Sequence, residues 1–305
     1  MMNIADNPHL HKTAVTSSVF CQDNLELLKS QPDESIDLIY CDILYGTGKD
    51  FMDYKDLYPM REIIEEHYLP RLKEMYRVLK STGSIYLHCD WHINHWIRCL
   101  LDDIFGYEQF RNEIIWKRGK MKGGKAVGNQ YGRNHDTILF YTKSDKYLYN
   151  RQFIPYNDDY IKQRYTKDDG DGKGPYTDQP IGTRSKENIE QFRKEGRIFK
   201  TSGGTERVKF YLSEMPGIAM DDVWLDIDEI NSMSNDNVGY PTQKPKELIS
   251  RFILASTNEG DTVADYYLGS GTTAVVCKEL NRNFIGCDIN PKAIEITKAR
   301  LNAGT

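Results

Sequence analysis

The run Ile36–Gly48 reads I-D-L-I-Y-C-D-I-L-Y-G-T-G. It begins as an apolar stretch rich in β-branched and aromatic residues, the pattern of a parallel strand covered on both faces. It ends at an acid, Asp42, followed by Tyr45 and a Gly46–Thr47–Gly48 turn. In open α/β sheets ligands bind beyond the carboxyl ends of the strands. A carboxylate and an aromatic face three residues apart at that edge can grip a flat, amino-bearing ring. The plainer alternative is a strand that stops in a polar turn.

The neighbouring segments agree with an α/β sheet. Upstream, Ser18–Leu28 reads as a strand, a turn at Gln22–Asp23–Asn24 and a short helix. Downstream, Ile63, Ile64, Tyr68, Leu72, Met75, Tyr76 and Leu79 recur with helical period between about Met60 and Lys80, and Pro70 predicts a kink or break there. Ser84–His88 is the next strand and Trp91–Phe105 the next helix. Phe110–Trp116 and Asp136–Tyr141 are strands on either side of a glycine-rich loop. Strands alternating with helices predict a mostly parallel sheet with helices on its faces.

At 305 residues the chain has room for one large α/β domain with an insertion, or for two small domains. Its 39% hydrophobic and 28% charged content is that of an ordinary soluble protein. No apolar run approaches the roughly 20 residues that cross a bilayer, and the N-terminal M-M-N-I-A-D-N-P-H-L-H-K has no apolar core, so no membrane partner and a cytoplasmic location are expected. The six cysteines include no C-x-x-C pair, which suits a reducing compartment. His88, Cys89, Asp90, His92 and His95 are spaced so as to raise a metal site, but a strand end followed by a helix face is the preferred reading, and no metal is expected. The net charge of −5 argues against a protein that coats nucleic acid indiscriminately. Charge is nevertheless uneven. Every charge from Lys117 to Arg133 is positive (Lys117, Arg118, Lys120, Lys122, Lys125 and Arg133), interleaved with glycines, whereas Asp221, Asp222, Asp226, Asp228 and Glu229 form an acidic cluster. The basic loop is expected to contact phosphates.

The character changes over Asn150–Glu214, which is polar, rich in Tyr, Lys, Arg, Asp and Gly, and has no long periodic segment. The expected organisation is an N-terminal arm over 1–15, one half of the main domain over 16–149, an inserted lobe over 150–220 and the second half over 221–305. In that second half a strand (Asp261–Tyr267) runs through a Leu268–Gly269–Ser270–Gly271 turn into a helix (Thr272–Leu280). The following strand ends at Asp288, where a carboxylate can meet ribose hydroxyls. The turn lacks the third glycine of a dinucleotide fingerprint, and Asp265 before it would repel a pyrophosphate. A ligand with a cationic or amino-bearing part, such as S-adenosylmethionine, fits better than NAD.

The order of these blocks resembles that of the amino-group DNA methyltransferases, the N6-adenine/N4-cytosine family, in its β arrangement of motifs. Gln22–Leu28 matches the segment before the catalytic strand, and Asp42–Ile43–Leu44–Tyr45 stands where the family has D-P-P-Y. Asn112–Lys117 and His135–Tyr141 match the middle blocks. Thr242–Gln243–Lys244–Pro245, Asp265–Thr273 and Gly286–Asn290 match the cofactor blocks. The likeness covers about residues 16–150 and 238–302. It implies a Rossmann-like S-adenosylmethionine-dependent methyltransferase fold, with a permuted motif order and an inserted target-recognition lobe.

The resemblance also implies roles. Tyr45 would stack on a base flipped out of double-stranded DNA, while Asp42 and the backbone carbonyl of Ile43 accept hydrogen bonds from its amino group. Asp288 with Asn290 would hold the ribose, Asp265 with Tyr267, Leu268, Gly269, Ser270, Gly271, Thr272 and Thr273 the methionine end, and Asp23 the adenine side. Gln243, Lys244 and Pro245 would fix the cofactor loop. Arg184, Lys186, Arg193 and Lys194 in the lobe would contact DNA, although with Glu187, Glu190 and Glu195 nearby they read equally as a solvated face. Family analogy brings a homodimer and a cognate restriction endonuclease as candidate partners. N6-adenine is the leading target and N4-cytosine the alternative. Ile43 and Leu44 replace both prolines of D-P-P-Y, and the lost rigidity predicts a looser turn. A weakly active or non-catalytic DNA-binding relative is therefore the third reading.

Overall fold

In the computed structural model, which describes residues 15–49, 56–119, 129–231, 234 and 236–303, Ile36–Asp42 is a strand whose central residues Leu38, Ile39, Tyr40 and Cys41 are all buried. Successive side chains of a strand point to opposite faces. Ile39 and Cys41 accordingly join one apolar core, while Tyr40 turns to the other side and stacks on Phe252 at a ring-centroid distance of 5.3 Å.

The first stretch of the chain forms β1 (Ser17–Cys21), α1 (Asn24–Ser30), β2 (Ile36–Asp42), α2 (Arg61–Val78), β3 (Leu79–Cys89), α3 (Asn94–Phe105), β4 (Phe110–Lys117) and β5 (His135–Thr142). Residues 151–220 are a compact unit of their own. It contains β6 (Phe153–Ile154), α4 (Asp158–Arg164), β7 (Tyr176–Pro180), α5 (Lys186–Lys194), β8 (Ile198–Lys200), β9 (Glu206–Tyr211) and β10 (Ile218–Ala219). β7, β9 and β8 make a three-stranded antiparallel sheet, and β6 pairs with β10. Its small core is largely tyrosine, with Tyr165, Tyr176 and Tyr211 buried beside Val208. The chain then completes the first unit with β11 (Val223–Trp224), α6 (Lys246–Ser256), β12 (Thr262–Asp265), α7 (Thr272–Glu279), β13 (Asn283–Asp288) and α8 (Pro291–Ala303).

The sheet of this larger unit has the order β1-β13-β12-β2-β3-β5-β4-β11. Pairing is parallel throughout except where β5 runs antiparallel to both β3 and β4. The α/β architecture expected from the sequence is therefore present. Because β1, β13, β12, β2 and β3 all point the same way, the ends of these strands bring Asp23, Asp288, Asp265, Asp42 and Asp90 to one edge, although Asp23 and Asp288 lie near opposite ends of the sequence.

Two local expectations change. Of the kink or break expected at Pro70, the break does not occur: α2 continues through it. The proline removes one intrahelical hydrogen bond, but Ile64, Tyr68, Leu72, Met75 and Val78 are all buried and carry the helix past it. α3 begins at Asn94 and not at Trp91, because Asp90 accepts the His92 backbone N–H and closes a turn first. The arm over 1–15 lies outside the described residues except for its last position, as do Lys120, Lys122 and Lys125. Among the described residues no helix is long and apolar enough to cross a membrane.

Candidate active site

Asp42 ends β2 and enters a network that satisfies both of its oxygens. The Tyr45 hydroxyl donates to Oδ1 at 2.8 Å, and the Lys244 ammonium donates to Oδ2 at 2.5 Å. Burial and the neighbouring Asp42 charge push the Tyr45 phenol well above its ordinary value, so it stays protonated and can donate. Behind this pair lies His88, fully buried on β3. Its Nε2 is 3.2 Å from Asp136 Oδ2 on β5, and its Nδ1 is 2.9 Å from the Tyr40 hydroxyl. Burial works to raise the Asp136 carboxyl, but the hydrogen bond and charge of His88, together with Lys244 and Arg118, outweigh it and leave the group below the usual range. An ionised Asp136 can only accept, so the bond between them is donated by His88 Nε2.

The cofactor candidates divide into two layers. Asp288, at the end of β13, accepts the Gly269 N–H on Oδ2 and the Asn290 N–H on Oδ1, both at 2.8 Å. Burial raises its carboxyl, and these N–H groups partly oppose the shift. Asp23 caps α1 through the Leu25 N–H and pairs with Arg71 at 2.9 Å. Arg71 also donates to Asn24, whose amide reaches the Tyr266 carbonyl, so α1 and α2 are tied to the start of the glycine turn. His67 completes this edge at 3.2 Å from the Tyr267 hydroxyl; burial, with the Arg71 charge beside it, pushes the imidazole down to about 4 and leaves it neutral.

These residues surround one cavity of about 1160 Å³, lined at one end by Asp23, Tyr267, Gly269, Asp288, Ile289 and Asn290, and at the other by Asp42, Ile43, Tyr45 and Lys244. Drug-sized ligand sites occupy about 300–1000 Å³, so there is room for two molecules to meet. Arg118 and Arg133 reach its wall as well, Arg133 lying 3.6 Å over the Trp91 ring. Lys117 is exposed on β4.

The second layer holds the expected cofactor residues that do not line the cavity. Asp265 is buried beneath the cavity and does not line it, with Tyr267 N–H on one oxygen at 3.0 Å and the Thr273 hydroxyl on the other at 2.6 Å. Ser270 and Thr272 face Arg300 of α8, which donates to the Ser270 carbonyl at 2.6 Å and lies 3.2 Å from the Thr272 hydroxyl. Gly271 has φ +76, and a Cβ there would lie 2.3 Å from Thr297, so the glycine serves the close approach of α8. Leu268 is buried. Gln243 bridges Asp236 and Val238 within its own loop, and Pro245 caps α6. Lys244 reaches the carboxylate of Asp42 at 2.5 Å. In the smaller unit Arg184 is folded back on the Pro180 and Ile181 carbonyls at 2.7 Å, whereas Lys186, Arg193 and Lys194 are exposed. Arg71, Asp136 and Ile289 were not among the expected site residues, and His88 was singled out only for a metal spacing. Of the first three only Ile289 had a usable signal, an apolar residue directly after the strand-end acid, and it is 70% exposed in the cavity wall.

Burial pushes the Asp265 carboxyl up to about 7, against the Thr273 and Tyr267 hydrogen bonds that favour its ionised form. A folded-state value above the unfolded one means that the folded chain holds this proton more tightly, so stability is lost as pH rises toward about 7. Asp265→Asn keeps the acceptor for Tyr267 and removes the charge. The variant is expected to melt above the parent at pH 8 and alongside it at pH 4, as read by thermal denaturation at the two pH values.

Residues 36–299 match the family model described as a DNA methylase, N6_N4_Mtase. The chain belongs to that family. It is 30% identical over 289 residues to the Type II methyltransferase M.HpaI of Haemophilus parainfluenzae, covering 93% of this chain and 74% of that one. Among solved structures it is similar to the cytosine-N4-specific PvuII DNA methyltransferase (TM-score 0.58, 15% identity, 94% of this chain and 87% of that one). It is likewise similar to the M1.HpyAVI–SAM complex (TM-score 0.54, 17% identity, 94% of this chain and all of the other). At those identities the two structures speak to the fold, which is that of the family's methyltransferase domain.

Proposed function

We propose that this DNA methylase uses S-adenosylmethionine to methylate the exocyclic N6 of an adenine flipped out of duplex DNA at a specific site. The observation that carries the reading is the shared cavity, with Asp42 and Tyr45 at one end and Asp288 beside the Gly269 turn at the other. The donor set suits the cofactor. Asp288 offers acceptor capacity for a diol, Ile289 an exposed apolar face for a base, and the carboxylates of this edge a favourable field for a cation. S-adenosylmethionine, when bound, supplies a methyl group made transferable by its sulfonium.

The chain's own residues prepare the acceptor. Asp42 accepts a hydrogen bond from the exocyclic amino group, concentrating nitrogen lone-pair density for attack. A carboxylate does this better than a neutral acceptor. Tyr45 releases Asp42 Oδ1 and stacks on the extruded ring, and the Ile43 carbonyl accepts the second amino hydrogen. On accepting the methyl group that the cofactor would supply, the amine would give up one proton, which would leave past Asp42 to solvent. Arg118, Arg133 and the basic loop with Lys120, Lys122 and Lys125 hold phosphates. The unit 151–220 reads sequence through exposed cations such as Lys186, Arg193 and Lys194. The same reading carries a cytoplasmic location, a cognate restriction endonuclease and a homodimer.

Labelled S-adenosylmethionine incubated with mixed DNA, followed by nucleoside analysis, tests the reading. N6-methyladenine is expected. N4-methylcytosine would replace the target while keeping the chemistry, and no labelled nucleoside would sink the enzyme.

A further inference from the structure

Resting on the methyltransferase reading, we propose that Asp56 is the positioning residue of the catalytic turn and does in this chain what two prolines do in D-P-P-Y. Four donors converge on its carboxylate. The N–H groups of Gly46 and Leu57 reach Oδ1 at 3.0 and 2.8 Å, and the N–H and hydroxyl of Thr47 reach Oδ2 at 2.7 and 2.6 Å. A carboxylate has about four acceptor positions, and all are used here. Asp56 is only 5% exposed, so water competes little for these charge-assisted bonds. Its own segment is paired to the turn, with the Gly48 N–H donating to the Leu57 carbonyl at 2.8 Å and the Asp56 N–H to the Lys49 carbonyl at 3.1 Å.

The other side of the turn is pinned independently. The Ile43 N–H donates to the His88 carbonyl at 3.1 Å, a bond that proline at 43 would forfeit. The Tyr68 hydroxyl donates to the Leu44 carbonyl at 2.8 Å. Gly46 adopts φ +64, and a Cβ there would sit 2.8 Å from Ile93 and 3.0 Å from Ile64, so the turn lies directly on the core. The backbone on either side of Tyr45 is thereby held at 43, 44, 46 and 47. The looser turn expected from the missing prolines does not arise, because hydrogen bonds to a buried carboxylate replace ring rigidity.

Asp56→Asn sets an amide donor against one of these donors. Misplacement of a catalytic group by about 1 Å costs about 100-fold in rate, and a loss of that order in turnover is expected. Equilibrium binding of S-adenosylmethionine should be unchanged, and the Gly46 and Thr47 amides should lose protection from hydrogen exchange. Adding Leu44→Pro, which spares the Ile43 N–H, should recover part of the lost turnover. Thr47→Val removes one of the four donors with a near-isosteric side chain, so it should lower turnover with cofactor affinity intact, and it serves if Asp56→Asn does not fold. Wild-type turnover in both variants overturns the inference, as does joint loss of turnover and cofactor binding without recovery by Leu44→Pro. Parent protein that transfers no methyl group overturns the methyltransferase reading and this inference together. Active parent protein with unimpaired variants overturns the inference alone.

Discussion

Asp42→Ala is expected to abolish detectable methyl transfer while S-adenosylmethionine still binds. The two ends of the cavity are built by different parts of the chain, Asp42 by β2 and the cofactor edge by α1, β12 and β13. Removing one preorganised catalytic hydrogen-bonding group costs about 10²–10³ in turnover. Alanine costs more here than the lost acceptor alone. It leaves the Lys244 ammonium, 11% exposed, without its carboxylate, and it frees the Tyr45 hydroxyl. Truncating one member of a buried pair is destabilising because the remaining charge is uncompensated. Asp42→Asn separates the two effects, since it keeps the shape and one oxygen. It should fold like the parent and still fail to activate the amine. Turnover and calorimetric cofactor affinity measured on both variants check this, and equal loss of both quantities in Asp42→Asn would assign Asp42 a folding role.

The strand-end acids were readable because they obey a one-dimensional rule: an apolar run stops at an acid, and the acid then lies at the carboxyl edge of a parallel sheet. Asp42 and Asp288 both follow it, and both line the cavity. Asp265 ends β12 too, although the sequence carries the apolar run on to Tyr267, and it lies under the surface, where α8 packs closely on the turn through Thr297 and Arg300. The antiparallel β5 was not readable either, since a strand that returns after a basic loop has the same composition as one reached by a crossover. Asp56 carries no pattern at all. Its partners are backbone N–H groups, which every residue has, and only the folded turn aims them at one carboxylate. His88 and Asp136 meet across 48 positions and Asp42 and Lys244 across 202, separations at which spacing says nothing about contact.

Lys244→Met distinguishes the role suggested by the motif Thr242–Gln243–Lys244–Pro245 from the role suggested by geometry. If Lys244 served the cofactor loop, its loss would raise the KM for S-adenosylmethionine and spare kcat. Its ammonium instead lies 2.5 Å from Asp42 Oδ2 and 5.6 Å from the centroid of the Tyr45 ring. Methionine preserves most of the apolar stem and removes the cation, so Asp42 keeps its neighbours but loses the partner that fixes one oxygen. In the proposed reaction the target amine takes the other oxygen, Oδ1, which the Tyr45 hydroxyl occupies here. A carboxylate free to rotate presents Oδ1 correctly for only part of the time, and such misorientation is expected to lower kcat by about 10- to 100-fold with the KM for cofactor unchanged. Lys244→Arg should fall between methionine and lysine. It restores the charge, but a planar fork cannot reproduce a point contact at 2.5 Å without displacing the side chains around it. Steady-state kinetics with cofactor as the varied substrate decides the matter, because a rise in KM at constant kcat would return Lys244 to the cofactor loop.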